Sequence, residues 1–404
     1  MERGIALEYN YKKHPIKVKH RKKNLYNKKK SKAKRVWATV LTVVAAVALC
    51  VVGYGLGRPL VDYINAQKNN TSENESAWTP PEPQTSEAAT TPAETTTSAP
   101  IEEVTPEEIS VSYILPENAA LNSEGLKSAI AYAKNSGYNS VTVTLKGDTG
   151  RFLYKSEIDG IKDSDIIDGA LTAKQIYSII EQAGLIPAAR INTLKDHCSG
   201  NLVDNIKYEL SDGWGWLDNA ADRGGKSWLS PFNKETADFL AAVTDEITQA
   251  GFKTVILSNT VFPMFSPSDY STYLSHLPIG DASQRSSALW SVLSACSAAA
   301  EKNGASAVIE LSSADLSAEN RQGTTAELAS DRAKFNTSSV LLDYTPDSTL
   351  PSPAAGVTQF VGRMNGMFPG VEYSVRIENS GFSAQASEEI RKAFSDAKIA
   401  VYVG

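Results

Sequence analysis

The amino-acid sequence predicts an α/β fold of the (β/α)8 class, an eight-stranded parallel barrel with helices on its outside. Three observations lead there. Eight short apolar runs recur between residues 110 and 403, segments of helical period separate most of them, and four of those segments stop at Gly137, Gly184, Gly251 and Gly304, just before the next run. Glycine past a helix end accepts the left-handed conformation that terminates the helix. Eight strands joined by long crossovers in this span is the count of a closed parallel barrel. A doubly wound open sheet is the alternative. It usually places a Gly-rich phosphate turn after its first strand, and SYILPENAALNSEG has none.

Taken in order, strand one is SVSYIL (110–115), followed by the helical segment SEGLKSAIAYAKNSG; strand two is SVTVTL (140–145), followed by TAKQIYSIIEQAG. Strand three is IPAARI (186–191). An insertion over 192–232, rich in Trp and Gly (DGWGWLDNAADRGGKSWLSPF), delays its helix, NKETADFLAAVTDEITQAG. Strand four, TVILS (254–258), leads to SSALWSVLSACSAAAEKNG, and strand five, SAVIEL (306–311), to TAELASDRAKF. Strands six, SVLLDY (339–344), and seven, EYSVRI (372–377), precede AQASEEIRKAFSDAK and strand eight, IAVYV (399–403). The sequence stops on strand eight, so an eighth helix is expected to be missing or replaced by the segment entering from the N-terminal side. Long loops after strands are where barrels build substrate sites, which directs attention to 192–232.

Upstream of the barrel the composition changes twice. Of 40 Lys+Arg and 46 Asp+Glu, the first 36 residues hold fourteen basic and two acidic ones, leaving 26 against 44 in the rest. Residues 1–35 therefore form a basic arm and 36–57, VWATVLTVVAAVALCVVGYGLG, an uncharged stretch closed by Arg58. That stretch is long enough for a hydrocarbon core of ~30 Å at ~1.5 Å per residue, and longer than the ~7–15 residues of a signal-peptide core. It reads as an uncleaved transmembrane signal anchor, single-pass, with the arm cytoplasmic and the C-terminal domain extracellular at the cell membrane. The arm is expected to rest on anionic lipid headgroups; no nucleic-acid partner is expected. Residues 58–108, rich in Thr, Ser, Pro and Glu, cannot bury enough apolar surface to order themselves and read as a disordered stalk, leaving 109–404 as the folded domain. Sequons begin at Asn69, Asn70 and Asn74. Of the three cysteines, Cys50 falls in the anchor, and whether Cys198 and Cys296 pair is left open by the sequence. With no CxxC, no HExxH and only four His, neither a metal nor a cofactor is expected.

The run IPAARINTLKDH, then DGWGWLDN…KSWLSPFNKETADFL, then DEITQAGFKTVILSNTVFP resembles the DUF4015 family of glycoside-hydrolase-like domains. Arg190, Lys195, Asp196, Trp228, Pro231, Glu246, Gly251, Phe252, Phe262 and Pro263 carry the likeness, which runs in the same order over most of 109–404 and weakens toward the C-terminus. The resemblance implies a TIM barrel related to the α-amylase type, acting on polysaccharide by O-glycosyl bond hydrolysis. The departures fall where the chemistry would be. The resemblance implies an Asp at the position of Ser258 and an Arg at that of Val261, and an acid before the lysine of strand two, where this chain has Thr144 and Lys146. The family's strand-five acid corresponds to Glu310.

Glycoside hydrolysis ordinarily needs two carboxyl groups, ~5–5.5 Å apart for retention and ~6.5–9.5 Å for inversion. Strand alternation sets Lys146, Arg190, Glu310, Asp343, Arg376 and Glu378 at the barrel mouth, with Asp148 and Asp196 just beyond strand ends. Glu310, Asp343 and Glu378 are the candidate catalytic groups; the competing reading makes them partners of Arg190, Arg376 and Lys146 in an ion-pair network. Lys146, Arg190, Asp196, Ser258 and Arg376 are candidate substrate contacts. Trp214, Trp216 and Trp228 are candidates for stacking on sugar rings, against a competing role in packing. Ser258 as a nucleophile would need a base, and His197 is the histidine nearest a strand tip. The expectation is a glycan-binding barrel with hydrolysis impaired or lost. The alternatives are an active glycosidase using Glu310 with Asp343 or Glu378, and a non-catalytic interaction protein of the cell envelope.

Overall fold

The computed structural model describes residues 111–316, 323–346, 350–378 and 383–404. The expected arm, anchor and stalk lie outside them. Among the described residues no helix is long and apolar enough to cross a membrane.

Eight strands close a barrel: β1 Val111–Ile114, β2 Ser140–Lys146, β3 Ile186–Asn192, β4 Thr254–Ser258, β5 Ser306–Leu311, β6 Ser339–Tyr344, β7 Tyr373–Ile377 and β8 Val401–Val403. They pair in sequence order, all parallel, and β8 returns to β1 through Val111↔Val401. The crossovers carry α1 Ser123–Asn135, α2 Ala173–Gln182, α3 Lys234–Gln249, α4 Ala282–Lys302, the short pair α5 Thr324–Leu328 and α6 Arg332–Asn336, α7 Pro353–Met367 and α8 Ala384–Asp396. Side chains just ahead of the helices satisfy free N–H groups: Asn122 caps α1, Thr172 and Gln175 form a capping box on α2, and Asp281 accepts from Ser283 and Gln284 on α4. The four terminating glycines all have positive φ, from +63° to +120°.

Two features differ from the sequence expectation. Residues 353–367 form a full helix although three glycines break its period; Ser352 caps it and Pro353 opens it, a position that needs no N–H donor. Residues 325–335, expected as one helix, are two, because the Asp331 side chain caps a second helix at Lys334 N.

Alternation along the strands divides the core. Outward residues such as Val143, Ile191, Leu257 and Val375 are buried against apolar helix faces, among them Phe239, Leu240, Val243 and Ile247 of α3. Each such side chain contributes about 1.5–3 kcal/mol by leaving water. Inward residues Ile256, Val308 and Leu341, with Tyr402 against them, fill the barrel centre. At the N-terminal end Ser112 meets Thr142 at 2.9 Å and Ser140 at 3.2 Å, hydroxyl to hydroxyl. Inward positions at the opposite end carry charge. Beside it, the 192–232 insertion folds onto the loop after β4 as a satellite core of Tyr208, Trp216, Leu274 and Ile279.

Candidate functional site

The strands converge three charged side chains at the C-terminal end of the barrel. Glu310 of β5 lies between Arg190 of β3 and Arg376 of β7. Arg190 Nε donates to Glu310 Oε2 at 2.8 Å, and Arg376 Nη1 lies 3.0 Å from Oε1. Glu310 and Arg190 are each 11% exposed. Burial works against the charge of Arg190, but Glu310 and Asp148 outweigh it and hold the guanidinium above the ordinary arginine range. The network extends outward at both ends. Arg190 Nη1 reaches Asp148 Oδ1 at 3.4 Å, Asn259 Nδ2 donates to the same oxygen at 3.3 Å, and Arg376 Nη2 reaches Glu378 Oε1 at 3.4 Å. Asp343 of β6 is half-buried and its Oδ1 accepts the Ser313 N–H. Glu310, Arg190, Arg376 and Glu378 thus form a continuous ion-pair chain, and both oxygens of Glu310 are engaged.

Lys146 and Asp196 are not in the open mouth. A register shift between Thr144 and Lys146 breaks the alternation of β2. Lys146 turns beneath the loop after β3, where Nζ meets Asp196 Oδ2 at 2.6 Å and donates to Asn192 O at 2.9 Å, with both side chains wholly buried. Asp196 Oδ1 accepts the N–H groups of Cys198 and Ser199. This is a staple between the end of β2 and the loop after β3, with no face open to a ligand. Ser258 is also wholly buried, its Oγ donating to Ile191 O at 3.0 Å. His197 Nδ1 instead contacts Ser227 O at 2.7 Å, so the two do not form a nucleophile–base pair.

The three tryptophans separate. Trp216 is buried in the satellite core and its Nε1 donates to Asp269 Oδ1 at 2.8 Å, which assigns it to packing. Trp228 is half-buried, edge-on to His197, and bonded to Asp218. Trp214 is 74% exposed on the hairpin joined at Glu209 and Gly215. Cys198 and Cys296 are both free thiols. Among the described residues no cluster of three or more His, Cys, Asp or Glu is arranged to hold a metal ion.

Asn259 was passed over in the sequence because it belongs to no strand, whereas Asp148 was placed just beyond a strand end without a role of its own. The signal for Asn259 was its type: it has φ +53°, in the left-handed region that asparagine tolerates better than most residues. Tyr402, packed against the inner core with its phenol pushed upward by burial, carried no sequence signal beyond strand alternation.

No curated protein matches this chain in sequence. Among solved structures, the PgaB (BpsB) glycoside hydrolase domain from Bordetella bronchiseptica aligns over 74% of this chain and 94% of its own, at 12% identity and a TM-score of 0.51, and so shares the barrel fold. A hypothetical protein from Ruminiclostridium thermocellum covers 50% of this chain and 96% of its own at 17% identity, with a TM-score of 0.38. The GH20 exo-β-N-acetylglucosaminidase from Vibrio harveyi covers 68% and 42% at 12% identity, with a TM-score of 0.39. Residues 113–275, from β1 to the turns after β4, match the model of the DUF4015 family, described as “Putative glycosyl hydrolase domain”.

Proposed function

We propose that the barrel binds polysaccharide at its C-terminal mouth and that hydrolysis there is impaired or lost. The observation that carries this reading is the state of Glu310. A retaining or inverting mechanism asks a carboxyl group to protonate the leaving oxygen, attack the sugar or activate water. Glu310 is 11% exposed, with one oxygen held by Arg190 and the other by Arg376, so each of these tasks would have to compete with an existing ion pair. Ser258 stands where the resemblance implies an acid, and its hydroxyl is committed to Ile191 O. What is left at the mouth is a set of partly exposed polar groups suited to holding a hydroxylated chain: Asp148, Arg376 and Glu378. The uncharged span 36–57, with its basic flank, supports a single-pass anchor that presents the barrel outside the cell.

The test is a panel of cell-wall and plant polysaccharides, assayed in parallel for binding and for reducing-sugar release. Binding without release, and no gain of release in the Ser258→Asp, Val261→Arg double variant, supports the reading. Release by the natural protein that vanishes in Glu310→Gln would select an active glycosidase using Glu310 with Asp343 or Glu378. Absence of binding across the panel would leave a non-catalytic envelope interaction protein.

A further inference from the structure

We propose that Asp148 and Asn259 are the ligand-contacting pair of the mouth, and that they grip two neighbouring hydroxyls of a neutral sugar. The proposal rests on the reading of the mouth as polysaccharide-binding. Of the carboxylates there, Glu310 is ion-paired through both oxygens, whereas Asp343, Glu378 and Asp148 each keep one oxygen without a partner among the described residues. Asp148 differs from the other two in having a side-chain amide beside it, that of Asn259 at 3.3 Å. Its Oδ1 takes both Arg190 and Asn259, while Oδ2 has no partner among the described residues, and the side chain is 53% exposed.

The backbone beneath Asp148 is clamped. Gly147 N–H donates to Arg151 O, Gly150 N–H to Gly147 O, and Asp148 N–H to Glu117 Oε1 at 3.2 Å. Thr149 O accepts the His197 N–H at 3.1 Å. Gly150 has φ +90°, and a Cβ there would fall 2.1 Å from Asp196 Oδ1. The turn that carries Asp148 therefore sits on the buried Lys146–Asp196 staple, which gives that wholly buried pair a second consequence: it fixes a rim carboxylate.

Asn259 reaches Asp148 through its unusual backbone. Ser258 points into the barrel, so an extended residue 259 would point outward, toward the helices. The left-handed turn at φ +53° instead brings the amide to Asp148 across the mouth. A carboxylate oxygen accepts a hydroxyl proton, and the amide beside it both donates and accepts, a set that matches adjacent hydroxyls. The Asp148 charge is already offset by Arg190, and contacts of 3.3–3.4 Å leave room to tighten on a ligand. These features favour a neutral chain over a cationic one.

The experiment is calorimetric titration of the full-length protein in detergent micelles with cellohexaose, xylohexaose, maltohexaose and chitohexaose, at low and high salt. For the hexaose that binds, Asp148→Asn and Asn259→Gly should each weaken Kd by about tenfold or more, the loss of a hydrogen bond to or from a charged group. The double variant should lose less than the two singles combined, because both grip one diol. Binding should change little with salt, and the melting temperatures of the variants should stay close to that of the natural protein. Asp148→Glu, which keeps the charge but displaces the oxygens, should also bind weakly, and covers the case in which Asp148→Asn does not fold. Natural-strength binding in Asp148→Asn or Asp148→Glu overturns this proposal and leaves the polysaccharide reading standing. Binding of chitohexaose alone, the cationic glucosamine hexamer of the set, with steep weakening by salt, overturns the neutral-sugar assignment in favour of a cationic ligand. No binding of any hexaose or polysaccharide overturns both.

Discussion

Lys146 and Asp196 illustrate how a buried charge is tolerated at the scale of single residues. Each is wholly buried, each meets the other at 2.6 Å, and Asp196 gains two backbone N–H donors besides. Removing one partner strands the other. Lys146→Met is expected to cost about 3–5 kcal/mol, the range for breaking a buried pair. Asp196→Leu should cost at least as much, since it also orphans the N–H groups of Cys198 and Ser199. The Lys146→Met, Asp196→Leu double variant should recover part of the loss. Urea unfolding of the four proteins measures this, and equal, additive losses would contradict it. The cysteines give a second test at this scale. Burial pushes the Cys296 thiol up to about 12, and Cys198 is raised by burial and by the nearby Asp196 carboxylate. At pH 8 both should therefore alkylate slowly in the folded protein and quickly after unfolding, read peptide by peptide by mass spectrometry. Fast labelling of Cys296 in the native state would show that α4 opens from the barrel.

The turn from α3 into β4 shows how an element is ended and aimed. Gly251 has φ +120°, and a Cβ there would meet the Tyr177 ring of α2 at 2.9 Å, a ring itself edge-on to Phe252. Gly251→Ala should cost about 1–3 kcal/mol for the backbone strain and more for the clash. Adding Tyr177→Ala should remove the clash but not the strain, so the second substitution should cost less in the Gly251→Ala background than alone. On the loop between β2 and α2, Arg151 holds Asp168 with Nε–Oδ2 and Nη2–Oδ1 contacts, both 2.6 Å. The hydrogen bond to Arg151 lowers the Asp168 carboxyl below its usual range. A depressed carboxyl contributes stability that is complete above the unfolded-state value and lost as pH falls through the folded one. The stability gap between the natural protein and Asp168→Asn should accordingly be larger at pH 6 than at pH 3, and a gap independent of pH would refute the linkage. The sequence located these elements well because their signals are local: apolar period, caps and terminating glycines. It missed α7 because Gly356, Gly362 and Gly366 dilute the helical pattern, which Ser352 and packing of Val357, Phe360 and Met364 restore.

At the scale of the whole molecule, the barrel brings residues more than a hundred positions apart into one chain of charges. Arg190 and Glu310 are 120 residues apart, and Asn259 and Asp148 are 111. If the proposed anchor is correct, external protease on intact cells should cut within 58–108 and release the barrel in soluble form, while the basic arm stays protected. Retention of the barrel in the cells after complete cleavage would argue against that topology. The sequence by itself determined the eight strands, their order, the face each residue presents where alternation is unbroken, and the resemblance of residues 113–275 to DUF4015, because all of these are written in local period and in runs of neighbouring residues. Only the tertiary structure decided which carboxylates are free. Closure set Glu310 between two guanidinium groups, the irregularity in β2 buried Lys146 with Asp196, and a left-handed residue at the tip of β4 turned Asn259 toward Asp148. Those outcomes depend on distances across the barrel and on breaks in alternation, and neither has a counterpart in local sequence.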